Sequence, residues 1–343
     1  MSIGVGVIGL GFMGRTHVDA YAAANEAGFA NHLVAVADRN EAALSGERPG
    51  AKGNLEGGAT GLLFDPAKVA TSTDSDDVFK NPDVQLVSIC THTRTHVELA
   101  KRALAAGKHV VLEKPIALTS AEVAELIEAE RSATGWVMPA MCMRFWPGWS
   151  WLKEAVDSGE YGKVRSAVFR RLAFPPNWSP EFYAKSSENG GALFDLHVHD
   201  ADLVRWLFGE PTSVSATGSL DHLTASYSFA DGPAHVIAEG GWDHTPGYEF
   251  RMSYTVIFDE ATAEFELGHE PTWTLAQNGQ RKTLTPAEGT GYDHELRHAL
   301  QSLATSTHPH PRLQEALGLT RMLETEEKAV SEEKAVSDTI FPS

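Results

Sequence analysis

The feature that most constrains this fold is a glycine motif set between two apolar segments near the start of the chain. An apolar segment that begins at Val5 leads directly into the motif Gly9 to Gly14 (GLGFMG), and a helical pattern follows. A second apolar segment, Leu33 to Ala37, ends in Asp38. A single GxGxxG motif is weak evidence, but the order strand, glycine turn, helix, strand and acidic residue is typical of a βαβ unit that binds a dinucleotide.

Each glycine of the motif has its own physical role. Gly9 permits the tight turn, Gly11 lets the backbone approach a pyrophosphate, and Gly14 lets the helix pack closely on the strand. The helix N-terminus offers unpaired N–H groups and a partial positive charge to that pyrophosphate. Asp38 is placed to bind the adenosine ribose and to repel a 2′-phosphate, which favours NAD over NADP. Arg39 keeps NADP open, because its guanidinium can stack on the adenine or pair with a 2′-phosphate.

Composition narrows the class of protein. A chain of 343 residues exceeds the comfortable size of one hydrophobic core, so two domains are expected. A formal net charge of -18 argues against a nucleic-acid partner. No apolar run reaches the length of a membrane span, and the N-terminus lacks the basic region of a signal peptide. The two cysteines, Cys90 and Cys142, lie in or beside apolar strand-like segments, as buried thiols do in a reducing cytoplasm. We therefore expect a cytoplasmic protein without a nucleic-acid or membrane partner.

The period of the apolar residues changes near residue 145. Before it, strand and helix patterns alternate, as in a doubly wound parallel sheet. After it, apolar and polar residues alternate, which indicates an antiparallel sheet with one buried face. The alternation is clearest at Phe250, Met252, Tyr254, Val256 and Phe258. We predict a Rossmann domain over residues 1–144, an α/β domain with an open, mainly antiparallel sheet over 145–310, and a C-terminal helix over 311–343 that packs back on the body.

A lysine after one of the predicted parallel strands is the first candidate for chemistry. Lys114 lies at the carboxyl edge of the sheet, where ligands bind in such folds, and Pro115 restricts the backbone after it. A lysine in this place can bind a substrate hydroxyl and stabilise the oxygen anion. From the residues alone, a surface lysine in a strand–helix loop is the favoured interpretation, and the functional one is the alternative.

The segment Gly190 to Asp200 (GGALFDLHVHD) is the second candidate. Asp195 and His199 are four residues apart, so they share one face if both are helical. A carboxylate beside an imidazole fixes its tautomer, as a general acid–base pair requires. His197 and Asp200 raise the rival interpretation of a metal site, but His-x-His-Asp without further ligands is a weak metal motif. We expect no metal here.

With these residues in view, the chain resembles the glucose–fructose oxidoreductase / inositol dehydrogenase (Gfo/Idh/MocA) family over nearly its whole length. The resemblance is carried by the glycine motif, the segment Gly107 to Pro115 (GKHVVLEKP) and the segment Gly190 to His199. It implies that Lys114 is the catalytic lysine, which reverses the interpretation from the residues alone. It also implies that Asp195 and His199 are the family's Asp-x-x-x-His pair, with the histidine as proton donor or acceptor.

The family resemblance implies an NAD(P)-dependent dehydrogenase that oxidises a secondary alcohol of a sugar, a sugar derivative or an inositol by hydride transfer to nicotinamide. It also implies a homodimer or homotetramer. Two alternatives stay open: a glycosidase that uses NAD for transient oxidation, and a catalytically idle sensor that binds NAD or sugar. His197 stands where the family often has glycine and His92 where it often has proline, so the resemblance leaves the substrate open.

The predicted site residues fall into three groups. The catalytic residues are Lys114, Asp195 and His199. The predicted cofactor contacts are Gly9, Gly11, Phe12, Met13, Gly14, Asp38, Arg39, Thr91, His96, Glu113 and Lys114. The predicted substrate contacts are Lys114, Arg144, Trp178, Tyr183, Asp195, His197 and His199. For Arg144, Trp178 and Tyr183 the prediction rests on their place before the Asp-His segment, and core or surface packing is the alternative.

Overall fold

The computed structural model describes residues 2–48, 61–176 and 185–336. Two predicted substrate contacts, Trp178 and Tyr183, lie outside these described residues. The chain divides into two compact units, each with its own sheet. The first contains the residues up to Phe145 together with Gly289–Gly318, and the second contains Trp146–Glu288 and the residues from Leu319 onward.

Strands and helices alternate in the first part of the chain, and strands dominate the later part. The strands are β1 (Ile3–Ile8), β2 (Asn31–Ala37), β3 (Ala70–Ser72), β4 (Leu86–Ile89), β5 (His109–Glu113), β6 (Val137–Ala140), β7 (Val164–Leu172), β8 (Ser213–Ser219), β9 (His222–Ser228), β10 (His235–Gly241), β11 (Arg251–Phe258), β12 (Ala261–Glu266), β13 (Trp273–Gln277) and β14 (Gln280–Thr283). The α-helices are α1 (Phe12–Glu26), α2 (Ser75–Lys80), α3 (His96–Ala105), α4 (Ser120–Arg131), α5 (Pro147–Ser158), α6 (Ser186–Asn189), α7 (Val198–Phe208), α8 (Gly291–Ala304) and α9 (Leu313–Val336).

The first unit is built on a parallel sheet with the strand order β3-β2-β1-β4-β5-β6. The chain leaves β1 for β2 and β3 on one side and returns to β4 on the other side. The loops that follow β1 and β4 therefore diverge at the carboxyl edge of the sheet, which is where open α/β sheets bind their ligands. This sheet confirms the predicted doubly wound Rossmann fold.

Helices cover both faces of this sheet, so successive strand residues enter different cores. On β5, Val110 and Leu112 pack with α3 and α4, whereas Val111 packs with α1 and α8. This double burial explains why the parallel strands are continuously apolar. Helix α8 presents Leu296 and Leu300 to the α1 side and so belongs to the first unit. The sequence placed these residues in the second domain, because chain order alone does not show which sheet a helix covers.

Strand β6 is shorter than the sequence pattern predicted. The mainly apolar residues from Trp136 to Met143 are the pattern of a longer strand, but β6 ends at Ala140, and residues Cys142–Phe145 form a 3-10 turn. The Met141 N–H donates to the carbonyl of Pro139 at 2.9 Å, which turns the chain away from the sheet. The apolar pattern continues past Ala140 because the turn itself is buried.

The second unit is built on an eight-stranded sheet with the order β14-β13-β12-β11-β7-β10-β9-β8. All neighbouring strands are antiparallel except β7 and β10, which are parallel. The predicted alternation is confirmed on β11, where Tyr254 is buried and Ile257 is exposed. The buried face packs on α5 through Trp149, whose ring meets Tyr254 and Phe265 edge-on. Within the described parts of the chain, no helix combines the length and the apolar character that crossing a bilayer requires.

Candidate active site

The glycine motif forms the turn between β1 and α1. Gly9 has a φ of +85°, a conformation that favours glycine. A Cβ on Gly14 would lie 1.7 Å from the carbonyl oxygen of Gly9, so a larger residue would push the helix off the strand. A Cβ on Gly11 would meet nothing within 4 Å. Among the described residues, the backbone therefore faces open space at the point where a pyrophosphate would approach the start of α1, and none of their side chains caps this helix.

Asp38 directly follows β2 and is fixed beside this turn. One carboxylate oxygen accepts a hydrogen bond from the Leu10 N–H at 2.5 Å, and the other accepts one from Asn40 N–H at 2.8 Å. Arg15, which the sequence-based prediction missed, interacts electrostatically with this carboxylate. Burial lowers the pKa of Arg15, and Asp38 opposes that shift. Its place immediately after Gly14 is the signal that could have identified it.

Glu113 anchors the backbone of the candidate catalytic lysine. Its carboxylate is buried at the end of β5, and one oxygen accepts a hydrogen bond from the Lys114 N–H at 3.1 Å. The other oxygen lies 3.1 Å from Nε2 of His17. The second ring nitrogen of His17 bonds Ser88, whose hydroxyl also bonds Tyr21. A buried polar chain thus ties α1, β4 and β5 together and holds the start of the segment that carries Lys114.

A second buried carboxyl group lies near this chain. Glu295 on α8 is fully buried, and neither of its oxygens has a hydrogen-bond partner among the described residues. Burial, reinforced by the charge of Glu113, raises the pKa of Glu295 well above its ordinary value. Burial and the same two carboxyl groups also raise the pKa of the Cys90 thiol. The sequence-based prediction missed Glu295, although its spacing from Ala299 places it on the apolar face of α8.

His96 connects the loops that follow β4 and β5. Its ring nitrogens lie 2.9 Å from the carbonyl oxygens of Thr91 and Pro115. Burial lowers the pKa of His96, and the two carbonyl contacts oppose this shift. The predicted cofactor contacts Thr91 and His96 are therefore part of one loop junction at the carboxyl edge of the parallel sheet.

In the second unit, Asp195 and His199 lie on one continuous helical segment that is not a regular α-helix throughout. Residues Leu193–His197, which include Asp195, are π-helical, and His199 lies in the first turn of α7. The sequence assumed α-helical spacing for the pair. π-helical turns are rare and frequently occur at functional sites. The Leu193 N–H donates to the carbonyl of Leu220 at 3.0 Å, which fixes the start of this turn to the loop before β9.

His197 and Asp200, the two residues of the rival metal interpretation, have partners inside the second unit. Nε2 of His197 lies 3.2 Å from the Tyr227 hydroxyl and 3.0 Å from Oε2 of Glu326, and all three side chains are buried. The Tyr227 hydroxyl donates to Oε1 of Glu326 at 2.8 Å. Asp200 accepts two hydrogen bonds from Arg171, at 3.0 and 3.1 Å. These contacts join the segment that carries Asp195 and His199 to β7, β9 and α9.

Arg144 forms an ion pair with Glu315 inside the first unit. Its guanidinium is buried, and Nη1 lies 2.5 Å from Oε1 of Glu315 at the start of α9. The described contacts of Arg144 and His197 are with protein groups, which favours positioning roles for these two predicted substrate contacts.

Comparison with known proteins decides the family. A family model described as "Oxidoreductase family, NAD-binding Rossmann fold" matches residues 3–141, and the GFO/IDH/MocA C-terminal domain model matches residues 149–264. The chain belongs to the Gfo/Idh/MocA oxidoreductase family. Its first unit is accordingly an NAD-binding Rossmann domain, and the open turn at Gly11 and the fixed carboxylate of Asp38 fit that cofactor.

Several relatives in this Gfo/Idh/MocA family match part of the chain. An uncharacterised oxidoreductase of Synechocystis sp. is 36% identical over 148 residues, which are 42% of this chain and 40% of that protein. An inositol 2-dehydrogenase of Rhizobium meliloti is 32% identical over 221 residues, 64% of this chain and 59% of that protein. The matched segments thus span 40% to 59% of the length of these two curated relatives.

The solved structures show how far the fold extends. A levoglucosan dehydrogenase in complex with NADH superposes with a TM-score of 0.81 at 22% identity, covering 97% of this chain and 98% of that one. This chain and the levoglucosan dehydrogenase therefore share one fold over nearly their whole length.

Proposed function

We propose that this Gfo/Idh/MocA protein is an NAD-dependent dehydrogenase that oxidises a secondary alcohol of a sugar, a sugar derivative or an inositol. The observation that carries the proposal is the Glu113-Lys114 pair at the carboxyl end of β5, where the buried carboxylate holds the lysine backbone. The relatives named inositol 2-dehydrogenase and levoglucosan dehydrogenase support a polyhydroxylated ring as the substrate. The carboxylate of Asp38 favours NAD, and NADP is the alternative.

In the proposed reaction, the turn from Gly9 to Gly14 and the carboxylate of Asp38 would hold NAD, and the bound cofactor would supply the hydride acceptor for the carbinol carbon. Lys114 hydrogen-bonds the oxygen that is being oxidised and stabilises the negative charge that develops on it. His199 accepts the hydroxyl proton, and Asp195 orients the imidazole. The C–H bond and the O–H bond are both broken, and a carbonyl group forms. The chain itself contributes alignment of the reacting groups and exclusion of water.

We further propose a cytoplasmic homodimer or homotetramer without a nucleic-acid or membrane partner. The alternating strands of the second sheet leave one face for another subunit. Cys90 and Cys142 do not form a disulfide, which supports a reducing compartment, and the net charge of -18 argues against a nucleic-acid partner.

Replacing Lys114 by alanine tests the proposed catalytic role. Loss of one group that stabilises an oxyanion costs about 100- to 1,000-fold in kcat. We expect at least that loss for Lys114→Ala, whereas a fluorescence titration should show that the variant still binds NAD. Lys101→Ala is the matched control, since Lys101 is a partly exposed lysine of the same unit that pairs with Glu125. Near-normal turnover of Lys114→Ala would overturn the assignment.

A further inference from the structure

Two imidazoles and a carboxylate meet at one end of the second sheet, and none of them belongs to the candidate active site. His222 begins β9, and Asp243 and His244 follow the end of β10. These strands are antiparallel neighbours, and Gly241 at the end of β10 pairs with His222. One donor atom from each of the three side chains lies within 4.8 Å of the others.

Packing fixes both imidazole rings. The ring of His244 stacks on Tyr248, with 3.9 Å between centroids and 13° between planes. The ring of His222 lies directly over β10, since a Cβ on Gly241 would be 2.6 Å from its Cγ. Only a glycine at position 241 leaves room for this ring. The two imidazole rings are therefore held by packing, whereas the Asp243 side chain is exposed.

Hydrogen bonding gives His222 a defined orientation. Nδ1 lies 2.6 Å from Oδ1 of Asp243, and Nε2 lies 3.4 Å from Oε1 of Glu239. Glu239 also pairs with Arg170, which holds its carboxylate in place. In many metal sites, a histidine binds the ion through one nitrogen and donates the other N–H to such a carboxylate. The arrangement around His222 reproduces that outer contact.

His244 supplies a second and independent indication. Its Nε2 is buried and has no hydrogen-bond partner among the described residues. Buried polar atoms are rarely left without a partner in folded proteins. An ordinary histidine–aspartate surface pair accounts for His222 and Asp243 but leaves this nitrogen unexplained.

We propose that His222, Asp243 and His244 bind a divalent transition-metal ion. Imidazole nitrogen together with carboxylate oxygen is a ligand set that suits Zn²⁺ and its neighbours in the first transition row. Zinc ligand distances are about 2.0–2.2 Å, so the three donor atoms close in on the ion by small rotations, above all of the exposed Asp243. A site with three protein ligands keeps a further position for water.

The position of the cluster indicates what the ion does for the fold. Asp221, the neighbour of His222, accepts hydrogen bonds from Ser186 Oγ at 2.7 Å and from Trp242 Nε1 at 2.8 Å. One residue earlier, the Leu220 carbonyl holds the start of the π-helical turn. A bound ion joins the first residue of β9 to the segment after β10, and so stabilises the strand ends on which that turn rests.

Titration of the full chain with ZnCl2 tests the site, after treatment with EDTA and removal of any affinity tag. We expect one tightly bound Zn²⁺ per chain by isothermal titration calorimetry. Loss even of an outer contact weakens metal binding about 10- to 100-fold, so His222→Gln and His244→Gln should each weaken it by about 100-fold or more. His235→Gln is the matched control, because His235 is an exposed histidine at the other end of β10.

A second readout separates metal binding from folding. Saturating Zn²⁺ should raise the Tm of the wild-type chain and of His199→Gln, and leave the Tm of the two ligand variants unchanged. Asp243→Asn reports the same loss if either histidine variant fails to fold, because Asp243 is exposed. Absence of Zn²⁺ binding, or wild-type affinity in both His222→Gln and His244→Gln, would overturn the proposal. Loss of binding in His199→Gln alone would assign the ion to the helix that carries His199 and would also overturn it.

Discussion

Replacing Asp200 by asparagine perturbs the buried ion pair that ties α7 to the central strand β7. Asp200 receives two hydrogen bonds from Arg171, and their side chains are 1% and 2% exposed. The substitution keeps the size and most of the shape of the side chain. It removes the negative charge and leaves the guanidinium of Arg171 buried without a counter-ion, directly after the candidate proton acceptor His199.

The expected loss follows from this burial. Breaking a buried ion pair by removing one partner costs about 3–5 kcal/mol of the free energy of unfolding. In a unit of this size, each kcal/mol lowers Tm by about 2–4 °C, so the variant should melt about 6–20 °C lower. The double variant Arg171→Met/Asp200→Leu should recover most of the loss, because both charges of the pair are removed together.

Urea unfolding followed by tryptophan fluorescence measures this difference. Glu264→Gln is the matched control, because it breaks the exposed pair of Glu264 with Arg281 in the same sheet, where the side chains are 49% and 62% exposed. An exposed pair contributes at most about 1 kcal/mol. The reasoning fails if Asp200→Asn loses no more stability than Glu264→Gln. It also fails if the double variant is as unstable as Asp200→Asn.

Two further substitutions test the first unit. Because burial raises the pKa of Glu295 in the folded chain, the unfolded chain loses its proton first as pH rises, and stability falls from the ordinary carboxyl value of 4.5 upward. The glutamine of Glu295→Gln cannot ionise, so the Tm of this variant should equal that of the wild type below pH 4.5 and exceed it at about pH 8. A difference in Tm that does not grow with pH would contradict the raised pKa of Glu295. In a fluorescence titration, Asp38→Ala should weaken the binding of NAD more than the binding of NADP. The substitution removes the carboxylate that accepts hydrogen bonds from the ribose, and it also removes the repulsion of a 2′-phosphate. Equal losses of affinity for the two cofactors would show that Asp38 does not bind the ribose hydroxyls.

The parts of the fold that depend on local backbone geometry were predictable from the sequence. Gly9 and Gly14 are required because a Cβ would strain the turn at Gly9 and would clash with the backbone at Gly14. The change in the period of the apolar residues distinguishes the parallel sheet from the mainly antiparallel one. The segment with Asp195 and His199 shows the limit of such reasoning. Its spacing predicts a helix, but the π-helical turn also depends on the contact of Leu193 with Leu220, which lies on another element.

The residues that the sequence missed are joined by contacts between distant parts of the chain. Glu295 acquires its raised pKa from burial within the first unit and from the charge of Glu113, and no local sequence pattern shows that α8 lies near the end of β5. Glu326, which the sequence also missed, forms one buried group with His197, although the residues between them build most of the second sheet. The spacing of residues in the sequence identifies candidates for catalysis, whereas the packing of the folded chain decides which of these side chains a ligand can reach.

The absorbance of NADH, followed when the purified chain meets excess NAD and a panel of inositols, aldoses and glycosides, tests the central claim most directly. We predict that absorbance rises with at least one polyol or sugar and that the rise disappears in Lys114→Ala. A glycoside that is consumed without net NADH would identify a redox-assisted glycosidase. NAD binding without turnover of any compound in the panel would identify a sensor, and either result would contradict the proposed dehydrogenase.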